Sequence, residues 1–481
     1  MLYKAAKVFF YASLFSIIWV LPGTFFPFIG GKYFFFRAMI SLGFISLLLS
    51  WAFEDVDGKL ERELKSLSRQ PLFIAVSVFV MVMLLAAIFA YDPHAAMWSN
   101  YERGEGAFQM LHYYLFFILG AVLLKTWRDW KIGLWLSVTA AIVMIGYGVL
   151  GALHVYNCNP VKNGGQPPAT CATSLAATFI TPYQAQSPER WPTDLGSIFT
   201  KERFQGSLGN PAYVAPYLMF SLFFLTFLWS LGGKNKRGWG AHIGYGLLAL
   251  TFLLFFFLSQ TRGAFLGLAV GFAAFLVFLV WRFKSQRKKV LGVLAACLLL
   301  GAGLFIGRES AFVKQLPISR VFEISLSSDS AQTRLWTWGS AWKGVKERPI
   351  LGWGQENVSM VFDRHFDPRH FSPNRSTETW FDRSHSVIFD YLVTSGFLGL
   401  LSYLAVLGVF FYIFVKTLLG HHSEEVWGIS PISQALLGSI LVAYFVQGLA
   451  LFDVLPIYIG LFFTLALANF IFENHRTHAH V

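Results

Sequence analysis

The run IGYGLLALTFLLFFFLSQTRGAFLGLAVGFAAFLVFLVW, residues 243–281, sets the tightest limit on what this chain can become. At about 1.5 Å per residue it is too long to cross a hydrocarbon core of about 30 Å once, even when tilted. Arg262 is its one charged residue. Two spans joined by a tight turn at SQTRG satisfy both the length and the charge. The turn also moves the guanidinium from mid-bilayer, where it costs at least about 2.5 kcal/mol, to one face.

Windows of this kind recur, and only 13% of the 481 residues are charged, against roughly a quarter in soluble domains. The chain is therefore predicted to be an all-α integral membrane protein of about 12 transmembrane helices. The expected spans are 8–28, 33–53, 71–91, 107–124, 132–153, 211–231, 243–260, 264–282, 290–307, 396–415, 432–452 and 457–472. The first reads as an uncleaved helix, because no small-residue cleavage site follows it.

Basic residues in short loops set the orientation. With the N-terminus inside, Lys4 and Lys7, the Lys59–Arg69 group, Lys125–Lys131, Lys234–Arg237 and Arg282–Lys289 all fall on the cytoplasmic side. Both termini are then cytoplasmic, and the net charge of +12 reflects this bias without any need for nucleic acid. Two long segments, 154–210 and 308–386, fall outside, which places the chemistry on the outer face. Three regions follow: N-terminal helices with the first outer loop (1–199), a core containing the large outer segment (200–405), and C-terminal helices with a cytoplasmic tail (406–481). Cys158 and Cys171 share the first outer segment, where an oxidising compartment permits a disulfide and equally permits two free thiols. No internal repeat of the kind that marks many transporters is visible.

Four stretches carry candidate chemistry. In SQTRG, Ser259 and Thr261 are placed to cap the helix that follows, and Arg262 stands beside that positive helix end. A cation there makes sense if an anion such as a phosphate binds; a snorkelling interfacial arginine accounts for the position equally well. In 327–358, Leu335, Trp338, Trp342 and Val345 recur at helical spacing, which predicts an amphipathic surface helix. Ser330 or Thr333 is its expected cap, Arg334 falls in its first turn, and ERPILGWGQ ends it. The tryptophans also fit an interfacial belt. In FDRSHSVIFDYL, His385 begins a helical pattern at the outer surface; it is either a surface histidine or a base whose pKa the helix end lowers. Asn210, in GNPAY, sits in a turn signal where an outer loop enters a span. No Walker loop, GxSxG, HExxH or CxxC is present.

Taken together, SQTRGAFLG, RLWTWGSAWKGVKERPILGWG and SHSVIFDYLVTSGFLGLL resemble the O-antigen ligase and polymerase superfamily, most specifically over about 200–405. The resemblance implies a C-type glycosyltransferase-like fold and a metal-independent, inverting transfer with no cofactor. The donor would be an undecaprenyl-pyrophosphate-linked glycan, and the acceptor a glycan, lipid or protein hydroxyl at the periplasmic face of a bacterial inner membrane. Carried over by position, Arg262 and Arg334 bind the pyrophosphate, His385 is the general base, and Asp390 orients the site. The family usually has His-Asn where this chain has His385-Ser386, which leaves the second residue's role open. Metal-dependent C-type enzymes are similar in holding acids in the first outer loop. Here GTFFPFIGGKYFF has none, and Asp55-Val-Asp57 lies in a cytoplasmic loop. Ligase, polymerase and protein oligosaccharyltransferase all fit these residues. A lipid-linked sugar transporter fits less well, because its charges belong at mid-membrane rather than at the outer mouth.

Overall fold

Backbone buried in hydrocarbon must satisfy its own N–H and C=O groups, so the apolar windows have little choice but to be helical. The computed structural model describes residues 1–21, 23–100, 103–158, 203–232, 238–283, 287–315, 329–371, 379–420 and 426–478. The first half contains α1 (Leu2–Ser13), α2 (Gly30–Glu54), α3 (Lys59–Leu67), α4 (Pro71–Ile88), α5 (Pro93–Trp98), α6 (Ala107–Leu123) and α7 (Trp127–Asn157). The second half contains α8 (Pro211–Ser230), α9 (Trp239–Leu258), α10 (Arg262–Arg282), α11 (Arg287–Ile306), α12 (Ala311–Gln315), α13 (Asp329–Glu347), α14 (Val358–Arg364), α15 (Val387–Leu419), α16 (Pro431–Gly448) and α17 (Leu455–His478). The protein is an all-α integral membrane protein, and ten of these helices are long and apolar enough to cross a membrane.

The other two expected spans are helical but shorter. Helix α6 ends at Leu123, and the first span, expected at 8–28, runs instead from Leu2 through a 3-10 turn at Leu14–Ile18. The chain turns extended at Trp19, ahead of the Leu-Pro-Gly at 21–23, where a residue preceding proline disfavours helix. Asp55 is occupied structurally: its carboxylate accepts the Leu60 N–H at 3.0 Å and the Glu61 N–H at 3.2 Å, at the start of α3. Cys158 is disulfide-bonded and Cys297 is a free, exposed thiol. Cys171 and most of the first outer segment lie outside the described residues.

Two local devices fix the end of the bundle that carries the candidate residues. The first is a seam of small residues, which lets membrane helices approach closely. Gly263, Gly267 and Gly271 repeat every fourth residue along α10, and a Cβ on each would press into Ala450, Gln447 and Ala443 of α16 and the residues just after it. The second is a broken helix. Gly396 has φ +64°, which interrupts α15 and frees two acceptors and two donors. The ERPILGWG segment takes all four. Trp353 N–H donates to Val393 O and Gly354 N–H to Thr394 O, both at 2.8 Å, while Phe397 N–H donates to Pro349 O at 2.8 Å and Leu398 N–H to Ile350 O at 3.2 Å. Two of the sequence stretches are thus one structural unit.

Gly396→Ala forces an L side chain into the left-handed region, at about 1–2 kcal/mol, and drives its Cβ against the Pro349 and Ile350 carbonyls. We expect a lower thermal midpoint in nanodiscs and faster amide exchange at 353, 354, 397 and 398. Unchanged exchange there would contradict this pairing.

Candidate functional site

Arg262 begins α10 itself, with Thr261 as the residue before it. The expected caps are not made. The Thr261 hydroxyl instead donates to Pro211 O at 3.0 Å, and the Ser259 hydroxyl turns back to Phe256 O at 2.6 Å. Arg203 holds the turn from outside, with Nε donating to Ser259 O at 2.9 Å and Nη2 to Thr261 Oγ1 at 3.0 Å. A hairpin tip that spends one hydroxyl on a neighbouring helix and the other on the helix before it leaves α10 without a side-chain cap from Thr261. Asn210 has a structural duty: its Oδ1 accepts the Ala212 N–H at 2.9 Å and caps α8. Through the neighbouring Pro211 it joins that helix to the Arg262 turn. Below the turn, an apolar cleft of about 450 Å³ opens between α8, α9 and α10, with Phe256, Phe257 and Phe265 at its wall.

The glycine seam carries this turn toward His385. Helix α16 ends at Gly448, where a Cβ would touch Val387, the first residue of α15 and two beyond the histidine. The loop after α16 supplies Phe452, whose ring lies 5.3 Å edge-on to His385. Phe381 packs on the same imidazole at 5.4 Å.

His385 sits at φ +49°, a left-handed conformation for a side chain other than glycine. Its Nδ1 lies 3.1 Å from Arg383 O. A carbonyl can only accept, so Nδ1 carries the proton and Nε2 is the basic nitrogen of the neutral ring. Burial and the positive charge of Arg334 hold the imidazole below the ordinary histidine value. Arg334 therefore acts electrostatically on His385 although fifty residues of sequence lie between them.

Helix α13, which carries Arg334, starts at Asp329, so Ser330 and Thr333 lie inside it rather than at its cap. Thr333 Oγ1 bonds back to Ser330 O at 3.3 Å. Its buried face is Thr333, Thr337, Ser340, Ala341, Gly344 and Val345, while Leu335 and Trp342 remain exposed. Small side chains permit close docking: Trp353 Nε1 donates to Gly344 O at 2.9 Å. Trp338 pins the helix to the histidine turn, with Nε1 donating to Ser384 O at 2.8 Å and its ring stacked on Phe389 at 5.1 Å.

Buried charge surrounds this turn. Arg383 donates from Nη1 to Asp390 Oδ2 and from Nη2 to Glu356 Oε1, both at 3.0 Å, and Asp390 Oδ1 also accepts the Ser384 N–H at 3.3 Å. Arg103, from the loop before α6, grips Asp382 with two bonds of 2.5 and 2.7 Å. Both guanidiniums also lie over Phe452, at 5.1 and 5.4 Å. Burial opposes the Asp382 charge, yet Arg103 holds that carboxyl below its usual range. Burial pushes Glu356 up, and pushes Glu105 up to about 7 even though Tyr113 donates to it. Arg103, Glu356, Asp382 and Arg383 escaped the sequence reading. For Glu356, Asp382 and Arg383 the one signal was charge next to a motif, in GWGQE and FDRSH, within a chain poor in charge; Arg103 had no motif beside it.

Among the described residues, no three His, Cys, Asp or Glu side chains gather in a set able to hold a metal ion. Residues 247–404 match the family model described as O-Antigen ligase, which supports the O-antigen ligase/polymerase superfamily and, in general terms, O-antigen ligase-like glycan transfer. Arg262, Arg334, His385 and Asp390 fall inside the matched residues; Asn210 and Arg103 precede them. No curated protein matches the chain.

Proposed function

We propose that this multi-pass membrane protein, with its O-antigen ligase segment at 247–404, transfers a glycan from undecaprenyl pyrophosphate to an acceptor hydroxyl. The reaction takes place at the periplasmic face of the bacterial inner membrane, with both termini cytoplasmic and without metal or cofactor. His385 Nε2 takes the proton of the acceptor hydroxyl as that oxygen attacks the anomeric carbon. The bond from that carbon to the pyrophosphate oxygen breaks, and undecaprenyl pyrophosphate leaves with the electron pair. A single displacement inverts the carbon. Arg262 and Arg334 bind the departing pyrophosphate, whose negative charge grows in the transition state. Asp390 orients the turn through Arg383 and the Ser384 N–H. The carrier's prenyl tail occupies the apolar cleft below Arg262, and glycan, lipid or protein acceptors approach from outside.

The observation that carries this reading is the histidine's state. A half-buried imidazole with Nδ1 turned to a carbonyl and a cation nearby is held neutral, as a base for a hydroxyl requires. The test is glycan transfer by purified protein from an undecaprenyl-pyrophosphate-linked donor in excess chelator, with the anomeric configuration of the product read by NMR. Transfer with inversion is expected. Retention, or activity restored only by a divalent ion, would overturn the mechanism.

A further inference from the structure

His385 occupies a left-handed backbone conformation, and such a conformation persists only where its surroundings over-determine it. The restraints come from three distant parts of the chain. Glu356 and Asp390 hold Arg383 from the GWGQE loop and from α15. Arg103 reaches from the N-terminal half, ahead of the matched residues, to Asp382. Its Nη1 also reaches the Tyr213 hydroxyl of α8 at 3.3 Å. Phe452 lies beneath both guanidiniums and against the imidazole, so displacing either arginine disturbs a wall of the histidine's pocket.

We propose that Arg103 and Asp382 form a clamp that positions His385, tying the turn that bears the base to the N-terminal spans. Neither residue touches the reacting atoms; they act through the turn and through Phe452. The inference rests on the proposed role of His385 as the base. A guanidinium gripping a carboxylate with two bonds fixes orientation as well as distance, which a lone ammonium does not. The clamp lies immediately before Arg383, so its loss removes one of the restraints on the residue whose carbonyl sets the imidazole tautomer. The groups that face the imidazole are Arg334 from α13, Arg103 from the loop before α6, and Asp382 and Arg383 from its own turn.

The test uses full-length protein in nanodiscs: wild type, Arg103→Gln, Asp382→Asn and the double variant. Diethyl pyrocarbonate modifies neutral imidazole, and peptide mass spectrometry resolves each histidine as pH is varied. In both single variants, His385 is expected to react faster at its plateau. Its midpoint is expected to move upward in pH in Arg103→Gln, where release from burial and loss of a cation act together, and less in Asp382→Asn, where loss of the carboxylate opposes the release. His370, fully buried among Trp336, Phe362 and Phe381, is the control and keeps its slow reaction. In the transfer assay each single variant loses roughly tenfold in rate, and the double loses no more than the worse single, because partners in one contact are not additive. Arg103→Lys recovers part of the loss. Unchanged His385 labelling overturns the clamp, as does a rise at His370 equal to that at His385, or a double variant whose loss is the product of the singles. If the wild-type protein transfers no glycan, the functional reading fails, and the labelling alone decides the clamp.

Discussion

Replacing His385 by alanine is expected to lower glycan transfer by about 10²–10⁴-fold, the range of a positioned general base, with protein level and thermal midpoint close to wild type. The ring packs on Phe381 and Phe452 but is only half-buried, and the ion pairs of its turn run through Asp382 and Arg383. The main chain of the turn therefore keeps its restraints when the imidazole is removed. The pH profile separates a base from a structural histidine. Burial and Arg334 both disfavour the protonated ring, so His385 stays neutral, and able to accept a proton, further into acid than an ordinary histidine. The acid limb of the wild-type rate should lie below about 6.5, the unperturbed value. In Arg334→Gln the largest of the charge contributions that hold the ring neutral is gone, and the limb should move upward. A limb at or above that value in wild type, or one that ignores Arg334, would remove His385 from the role of base.

Apolar runs of spanning length were enough to locate nearly every membrane helix, because they follow from burying backbone and apolar side chains in lipid. The turn at SQTRG was legible for the same reason: no single helix fits the run that contains it. Long-range partners left less trace. Nothing local says that Arg103 belongs with Asp382, or that Gly396 breaks a helix so that ERPILGWG can pair with it. Such contacts become visible only when segments far apart in sequence meet. The hydroxyls illustrate the limit. Ser259, Thr261, Ser330 and Thr333 all stand where caps are common, yet Thr261 bonds to Pro211 of another helix and Thr333 back to its own. Tertiary contacts outweighed local preference in the first case, and an earlier helix start did so in the second. The face of α13 shows the same limit. Val345 of the expected stripe is buried and Trp338 docks on the histidine turn, but most of the protein-facing side is made of small residues, which a search for apolar periodicity passes over.

Arg262→Ala is expected to cost about 10²–10³-fold in turnover, as for loss of one donor to a developing negative charge, while the hairpin stays folded. Three glycines seat α10 on α16 and Arg203 braces the turn at Ser259 and Thr261, and these restraints remain when the Arg262 side chain is shortened. Arg262→Lys is the sharper experiment. A snorkelling cation is needed only to mark the interface, and lysine snorkels as well as arginine does, so that role predicts full activity for the lysine variant. A pyrophosphate ligand predicts a substantial loss, because an ammonium cannot offer two parallel donors to one phosphate. The surroundings favour the second outcome. Arg262 stands in the first turn of a helix whose N-cap residue, Thr261, makes no side-chain cap, and the N–H groups of such a helix end favour an anion. Arg334 places a positive charge near His385 from a different helix, α13. A doubly charged leaving group at Arg262 also meets the uncapped end of α10, and a guanidinium grips it with two parallel donors. Wild-type turnover in Arg262→Lys, measured with saturating carrier-linked glycan, would show that the turn needs only a positive charge.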